Sequence, residues 1–172
     1  MNNTLPRETQ HDKLPAFVWW AATIAWSITI FELSTETYGI SLSAWLLNEI
    51  LRILGIHVSA ATFHTLHFLL RKLAHLTEYG IFAVLLYGSL GAGREFRWLW
   101  RRATVCAAIA GGYALTDELH QLFVPGRTAT LHDSALDACG AILALAGLYF
   151  YNAVSQAKAR RSAANVASPA ET

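Results

Sequence analysis

Charge in this chain gathers between long apolar runs and at their ends, and that patterning narrows the possible folds more than any other feature. The run from Leu14 to Phe31 carries no charged residue and holds Trp19, Trp20 and Trp26, as a membrane-spanning helix with interfacial aromatics would. A cleaved signal peptide is the alternative. Against it, Glu32-Leu33-Ser34-Thr35-Glu36 lacks a small-x-small cleavage pattern, and the run beyond Arg7 and Lys13 exceeds a usual signal core. Similar runs follow, which predicts spans at about residues 14–33, 73–91, 102–123 and 133–153. The charge-free stretches Tyr79 to Gly93 and Ala103 to Thr116 cover about 22 Å and about 21 Å of helix, against a hydrocarbon core of about 30 Å. Some charged residues must therefore lie below the headgroups.

Lys and Arg fall two in the N-terminal tail, three between residues 32 and 72, four from Arg94 to Arg102, one at Arg127 and three from Lys158 onward. Dense and sparse segments alternate. By the positive-inside rule both termini and the Arg94–Arg102 loop are expected to be cytoplasmic, which needs an even number of spans. The expected fold is all-α, a polytopic membrane protein with four transmembrane helices. Residues 1–13 form a cytoplasmic tail, residues 14–156 the membrane domain, and the Ala-rich, polar residues 157–172 a disordered cytoplasmic tail.

Composition agrees: 54% of the 172 residues are hydrophobic and 15% charged. A soluble bundle with buried helices would show similar apolar runs, but the charge alternation argues against it. With 13 basic and 12 acidic residues and no basic block, a nucleic-acid partner has no support. Cys106 and Cys139 fall toward opposite sides of the predicted membrane, so no disulfide is expected between them.

Between the first two spans, Trp45, Leu46, Glu49, Ile50, Arg52, Ile53 and Leu54 suit an amphipathic helix on the outer membrane surface, with Gly55 as its stop. The next helix is expected to start near Ser59 and to run unbroken into span two. Its His64, His67 and Arg71 share a stripe, read as an interfacial face touching phosphates.

The outward ends of three spans carry the chemistry. On span two, Arg71, Lys72, His75, Glu78 and Tyr79 share one broad face; on span three, Asp117, Glu118, His120 and Gln121 cluster near the end. On span four, Asp133, Asp137, Gly140, Ala144 and Gly147 line a stripe with carboxylates above and small residues below, a seam that lets helices approach closely. Pro125-Gly126 makes a turn that brings Arg127 back over the carboxylates, and Thr130 with Asp133 gives a capping-box pattern. Arg71, Lys72 and Arg127 then face five carboxylates. Ionised acids in a partly desolvated place need neutralising by protonation, by His75, His120 or His132, by a metal, or by a cationic ligand group. Gly111-Gly112 reads as close packing or a kink, and Ser134 as a helix-packing hydroxyl, since no G-x-S-x-G motif exists.

Arg71-Lys72-Leu73-Ala74-His75-Leu76-Thr77-Glu78-Tyr79, Thr116-Asp117-Glu118-Leu119-His120-Gln121, Pro125-Gly126-Arg127 and Asp133 to Gly140 together resemble the VanZ-like family, over about Thr37 to Tyr151. The resemblance implies a bacterial cell-envelope protein of the cytoplasmic (inner) membrane, whose namesake lowers susceptibility to the lipoglycopeptide teicoplanin; it implies no established biochemical activity. Three functions fit the polar constellation. It binds a lipid-linked or acylated envelope molecule, or a lipoglycopeptide, within the membrane lipid. Alternatively, it hydrolyses a lipid-borne substrate, with a divalent metal or an acid–base pair among His75, Glu78, Asp117, His120 and Asp137. Or it is purely structural.

Overall fold

Ser59 opens the helix around which the others pack. Its hydroxyl accepts from the Thr62 N–H at 3.2 Å, satisfying one orphan donor of the first turn. The helix then runs from Ala60 to Leu90, as the unbroken sequence predicts. The computed structural model describes residues 14–34, 36–91, 97–123 and 131–167. Among them are five helices and no strand: α1 (Ala16–Ser34), α2 (Glu36–Ile53), α3 (Ala60–Leu90), α4 (Trp100–Gln121) and α5 (Leu131–Ala167).

The predicted stop of α2 is present. Gly55 takes φ 66°, the Ile56 N–H reaches the Leu51 carbonyl at 2.9 Å and the Gly55 N–H reaches that of Arg52 at 3.2 Å. These are the paired bonds of a Schellman ending, which glycine accepts without steric cost. The chain then doubles back, so that α2 lies antiparallel to the first half of α3, joined to it by a 2.8 Å hydrogen bond between Ser43 and His67.

Three helices are long and apolar enough to cross a membrane: α1, α3, and α5 from Asp133 to Asn165. The expected third span corresponds to α4, which carries Arg101 and Arg102 at one end and Asp117 and Glu118 at the other and falls short of that apolarity. Polarity is turned inward. Phe17, Trp20, Ile24 and Ile28 of α1 are exposed, whereas its Thr23 is buried and hydrogen-bonds Ser89 of α3 at 2.8 Å. A helix with lipophilic surroundings and polar stitches to its neighbours behaves this way. Trp26 Nε1 donates to the Glu78 carbonyl at 2.9 Å, and the Tyr113 hydroxyl donates to that of Ser27 at 2.7 Å.

The core lies along α3 and the small-residue face of α4. Tyr79, Phe82, Leu86 and Tyr87 meet Ala103, Cys106, Ala110 and Ala114, with Ala141 and Leu145 closing from α5. Cys106 is buried and Cys139 exposed, and both are free thiols, as expected. Facing pairs give the directions. Lys72 meets Asp133, His75 meets Asp137 and Leu76 meets Gly140, so α3 and α5 run parallel; Tyr87 meets Leu99 and Asn152 meets Trp98, so α4 runs against both.

Two expectations need correction. The tail from Ala157 is helical to Ala167, because Ala157-Lys158-Ala159-Arg160-Arg161 consists of strong helix formers and nothing breaks the helix before Pro169. Among the described residues Gly111 and Gly112 meet nothing within 4 Å, so of the two readings, close packing or a kink, the first is removed, and Gly147 at the far end of the small stripe is equally open.

Gly140 is the glycine that packing requires. A Cβ there would fall 2.9 Å from Leu76 Cα and closer still to its carbonyl oxygen, and main chain cannot swing aside. Gly140→Ala should therefore lower stability by about 1–3 kcal/mol as α5 is pushed from α3. Gly147→Ala should be neutral or slightly stabilising. Thermal unfolding of both variants in one detergent tests the pair, and equal melting temperatures would refute the contact.

Candidate functional site: a polar-floored cavity beneath α2

Helical spacing spreads the charged residues of α3 over a face too broad for one partner, and the structure divides them between two neighbours. Toward α5, Lys72 forms an ion pair with Asp133 in the first helical turn, where a carboxylate also favours the helix N-terminus. The ammonium lies 5.3 Å from the centroid of the Phe68 ring, an added cation–π attraction. One turn on, His75 Nδ1 lies 3.2 Å from Asp137 Oδ1, and the Asp137 side chain is only 1% exposed. Gly140 follows Asp137 by three residues, so the seam that draws the helices together also holds these carboxylates against α3.

Toward α1, α2 and α4, the other half of that face opens on a cavity of about 210 Å³. Arg71, His75 and Glu78 of α3 and Asp117 of α4 give it a charged floor; Ile30 and Leu33 of α1 and Leu42 and Leu46 of α2 give it apolar walls, with Ser34 and Ser43 between. It is smaller than the roughly 300 Å³ at which sites for drug-sized ligands begin, so it suits a headgroup or a chain end. Arg71, Asp117 and Glu118 each have an interaction partner, and both acids are buried.

Tyr79, expected among the residues of the polar site, is fully buried. Its ring lies 6.3 Å from that of Tyr113, and its hydroxyl has no hydrogen-bond partner. His120 does not join Asp117 as a donor pair; its ring lies against Phe31, with centroids 4.5 Å apart. The side chains of Gln121 and His132, and Arg127 with its turn, lie outside the described residues, as does the expected Arg127 ion pair. The stripe of His64, His67 and Arg71 is not one lipid-facing surface, because His67 turns to Ser43 and Arg71 to the cavity. Ser134 is buried and donates to the Ala114 carbonyl at 3.5 Å, a packing role as expected.

Sequence reasoning missed most of the walls: Ile30, Leu33 and Leu42 carry no chemical signal of a site, and of the four only Leu46 belongs to the expected amphipathic helix. The arrangement can hold a molecule with an apolar part and a polar head. Among the described residues no three His, Cys, Asp or Glu side chains converge as metal donors, so the expectation of a divalent metal gains no geometric support.

A family model described as VanZ/LLP1 matches residues 16–152, from the start of α1 into α5. No curated protein and no solved structure gives a significant match.

The Lys72–Asp133 pair is about a quarter to a third exposed at each side chain, so breaking it should cost less than the about 3–5 kcal/mol of a fully buried pair. Lys72→Met and Asp133→Leu should each destabilise, and the double variant should recover part of the loss, with a coupling energy of about 0.5–3 kcal/mol. A double-mutant cycle by thermal or denaturant unfolding measures it; strictly additive losses would mean that the two side chains do not interact.

Proposed function

The chain belongs to the VanZ/LLP1 family, and on that footing we propose that it is a four-span membrane protein whose cavity beneath α2 binds a lipid-linked or acylated envelope molecule, or an acylated glycopeptide. The observation that carries the reading is the two-sided wall. Leu42 and Leu46 line the cavity and yet are 44% and 43% exposed, so the same turns of α2 touch both the charged floor and the surroundings. An acyl chain lying along α2 would bring its head over Arg71, Glu78 and Asp117. Arg71 meets anionic groups of the ligand, and the two acids orient sugar hydroxyls or amines.

The fourth span follows from direction. If α3 and α5 both cross the bilayer and run parallel, the chain must return between Leu90 and Leu131, and α4 is the helix in that interval. Its 22 residues reach about 33 Å, enough for the hydrocarbon core, with Arg101 and Arg102 near one headgroup layer and Asp117 and Glu118 near the other. The Lys and Arg distribution then favours both termini on the cytoplasmic side and the cavity on the outer side, and the family resemblance points to the inner membrane of a bacterium.

A structural role fits a different part of the network. Lys72–Asp133 and His75–Asp137 join α3 to α5, whereas Arg71, Glu78 and Asp117 face the cavity, with His75 shared between the two. Hydrolysis has less support: among the described residues no three metal donors converge, although the cavity-lining Ser43 shares a 2.8 Å hydrogen bond with His67.

Photo-crosslinking with an acyl-chain diazirine phospholipid and with an acylated glycopeptide probe tests the reading. Labelled peptides should map to the end of α1, to α2 and to residues 71–78. Asp117→Asn, compared with wild type at a matched folded fraction, should lower labelling by the recognised probe about tenfold, the loss of about 1.4 kcal/mol expected for a charge-assisted hydrogen bond. Labelling that avoids these segments would refute the proposal.

A further inference from the structure

At the end of the bundle away from the cavity, α4 and α5 leave an aromatic groove of about 460 Å³ between them. Trp98, Trp100, Ile142, Leu145, Tyr149 and Phe150 line it. The rings brace one another: Trp98 and Trp100 stand edge to face at 5.3 Å, Tyr149 lies 5.4 Å from Trp98 and 5.5 Å from Trp100, and Tyr87 stacks on Trp98 at 5.6 Å. The Trp98 N–H donates to Asn152 Oδ1 at 3.1 Å, fixing the start of α4 to a set level of α5. The groove is therefore held by the core, yet Trp100 is 69% exposed and Phe150 65% exposed.

Two further observations define what such a groove would take. Its surroundings are positive. Arg97 and Arg101 flank Trp98 and Trp100 and both are exposed; Lys158, Arg160 and Arg161 follow on α5 beyond Asn152, and no described residue at this end is acidic. Besides the cations there is a buried indole donor, Trp98 Nε1, with no hydrogen-bond partner among the described residues. An apolar trough with arginines at its mouth and a buried indole N–H matches a molecule with an acyl chain, ester or phosphate oxygens and net negative charge.

We propose that the α4–α5 groove binds an anionic phospholipid of the surrounding leaflet, with one acyl chain along Ile142 and Leu145 and the phosphate at Arg97 and Arg101. The site is separate from the cavity beneath α2 and is independent of what that cavity binds. Cations near a bilayer surface strengthen binding to anionic lipid by about fivefold each, so the two arginines together favour phosphatidylglycerol over phosphatidylcholine by about thirtyfold. The aromatic ring of the groove is suited to headgroup depth, where amphipathic side chains concentrate.

Native mass spectrometry of the full chain, released from detergent supplemented with phosphatidylglycerol or with phosphatidylcholine of the same acyl chains, reads this out. Wild-type protein should retain phosphatidylglycerol preferentially. Arg97→Gln with Arg101→Gln, both exposed positions, should remove most of that preference without shifting the melting temperature. Ile142→Trp, which fills the trough from an exposed position, should reduce retention of both lipids. Equal retention of the two lipids by the wild type, a preference unchanged in the arginine variant, or a dimer cross-linked through Trp100 and Phe150 would overturn the proposal.

Discussion

Gly140 lies so near the main chain of Leu76 that no side chain fits between them, and the register of the polar site follows from that contact. A helix pressed this closely cannot slide by a residue without driving a Cβ into backbone. On either side the matches are then fixed: Gly80 opposite Ala144 with ordinary van der Waals spacing, Asp137 beside His75, and Asp133 beside Lys72. Small residues do more than permit proximity here. They decide which acid meets which base.

The same contact separates two uses of one helix face. Charges that look toward α5 are matched across a tight seam, where an unpaired carboxylate in low dielectric would be expensive. Those that look toward α1, α2 and α4 stand on the floor of a cavity walled by aliphatic side chains. A network that only locked helices together would have no need of an opening. One that only bound ligand would have no need of an Asp137 side chain closed off from any cavity.

Much of this was legible in the chain, and the reasons are local. Ser59 and Gly55 announce a helix start and a helix end through their own backbone chemistry, so the end of α2 and the start of α3 could be set from residues alone. The resemblance that rests on the motifs from Arg71 to Tyr79 and from Thr116 to Gln121 agrees with the family match. What was not legible depends on neighbours distant in sequence. Nothing in Asp133 names Lys72 rather than Arg71 as its partner, since both lie on the same broad face. His120 sits one turn from Asp117, yet Phe31 of another helix claims its ring. The walls of the cavity are plain leucines and isoleucines. The terminal helix was misjudged because polarity was weighed above propensity: a solvated Ala-, Lys- and Arg-rich stretch extends a helix already nucleated by the span before it.

The pairing of Lys72 with Asp133 has a temporal side as well, because the two residues are 61 positions apart. A ribosome delivers α3 first, and a chain emerging at about 5–20 residues per second leaves several seconds before α5 follows. During that interval Lys72 and His75 sit in an incomplete bundle without the carboxylates that match them. The pairs between α3 and α5 are thus assembled last, by the helix that carries Gly140, and the finished register records the arrival of the final segment.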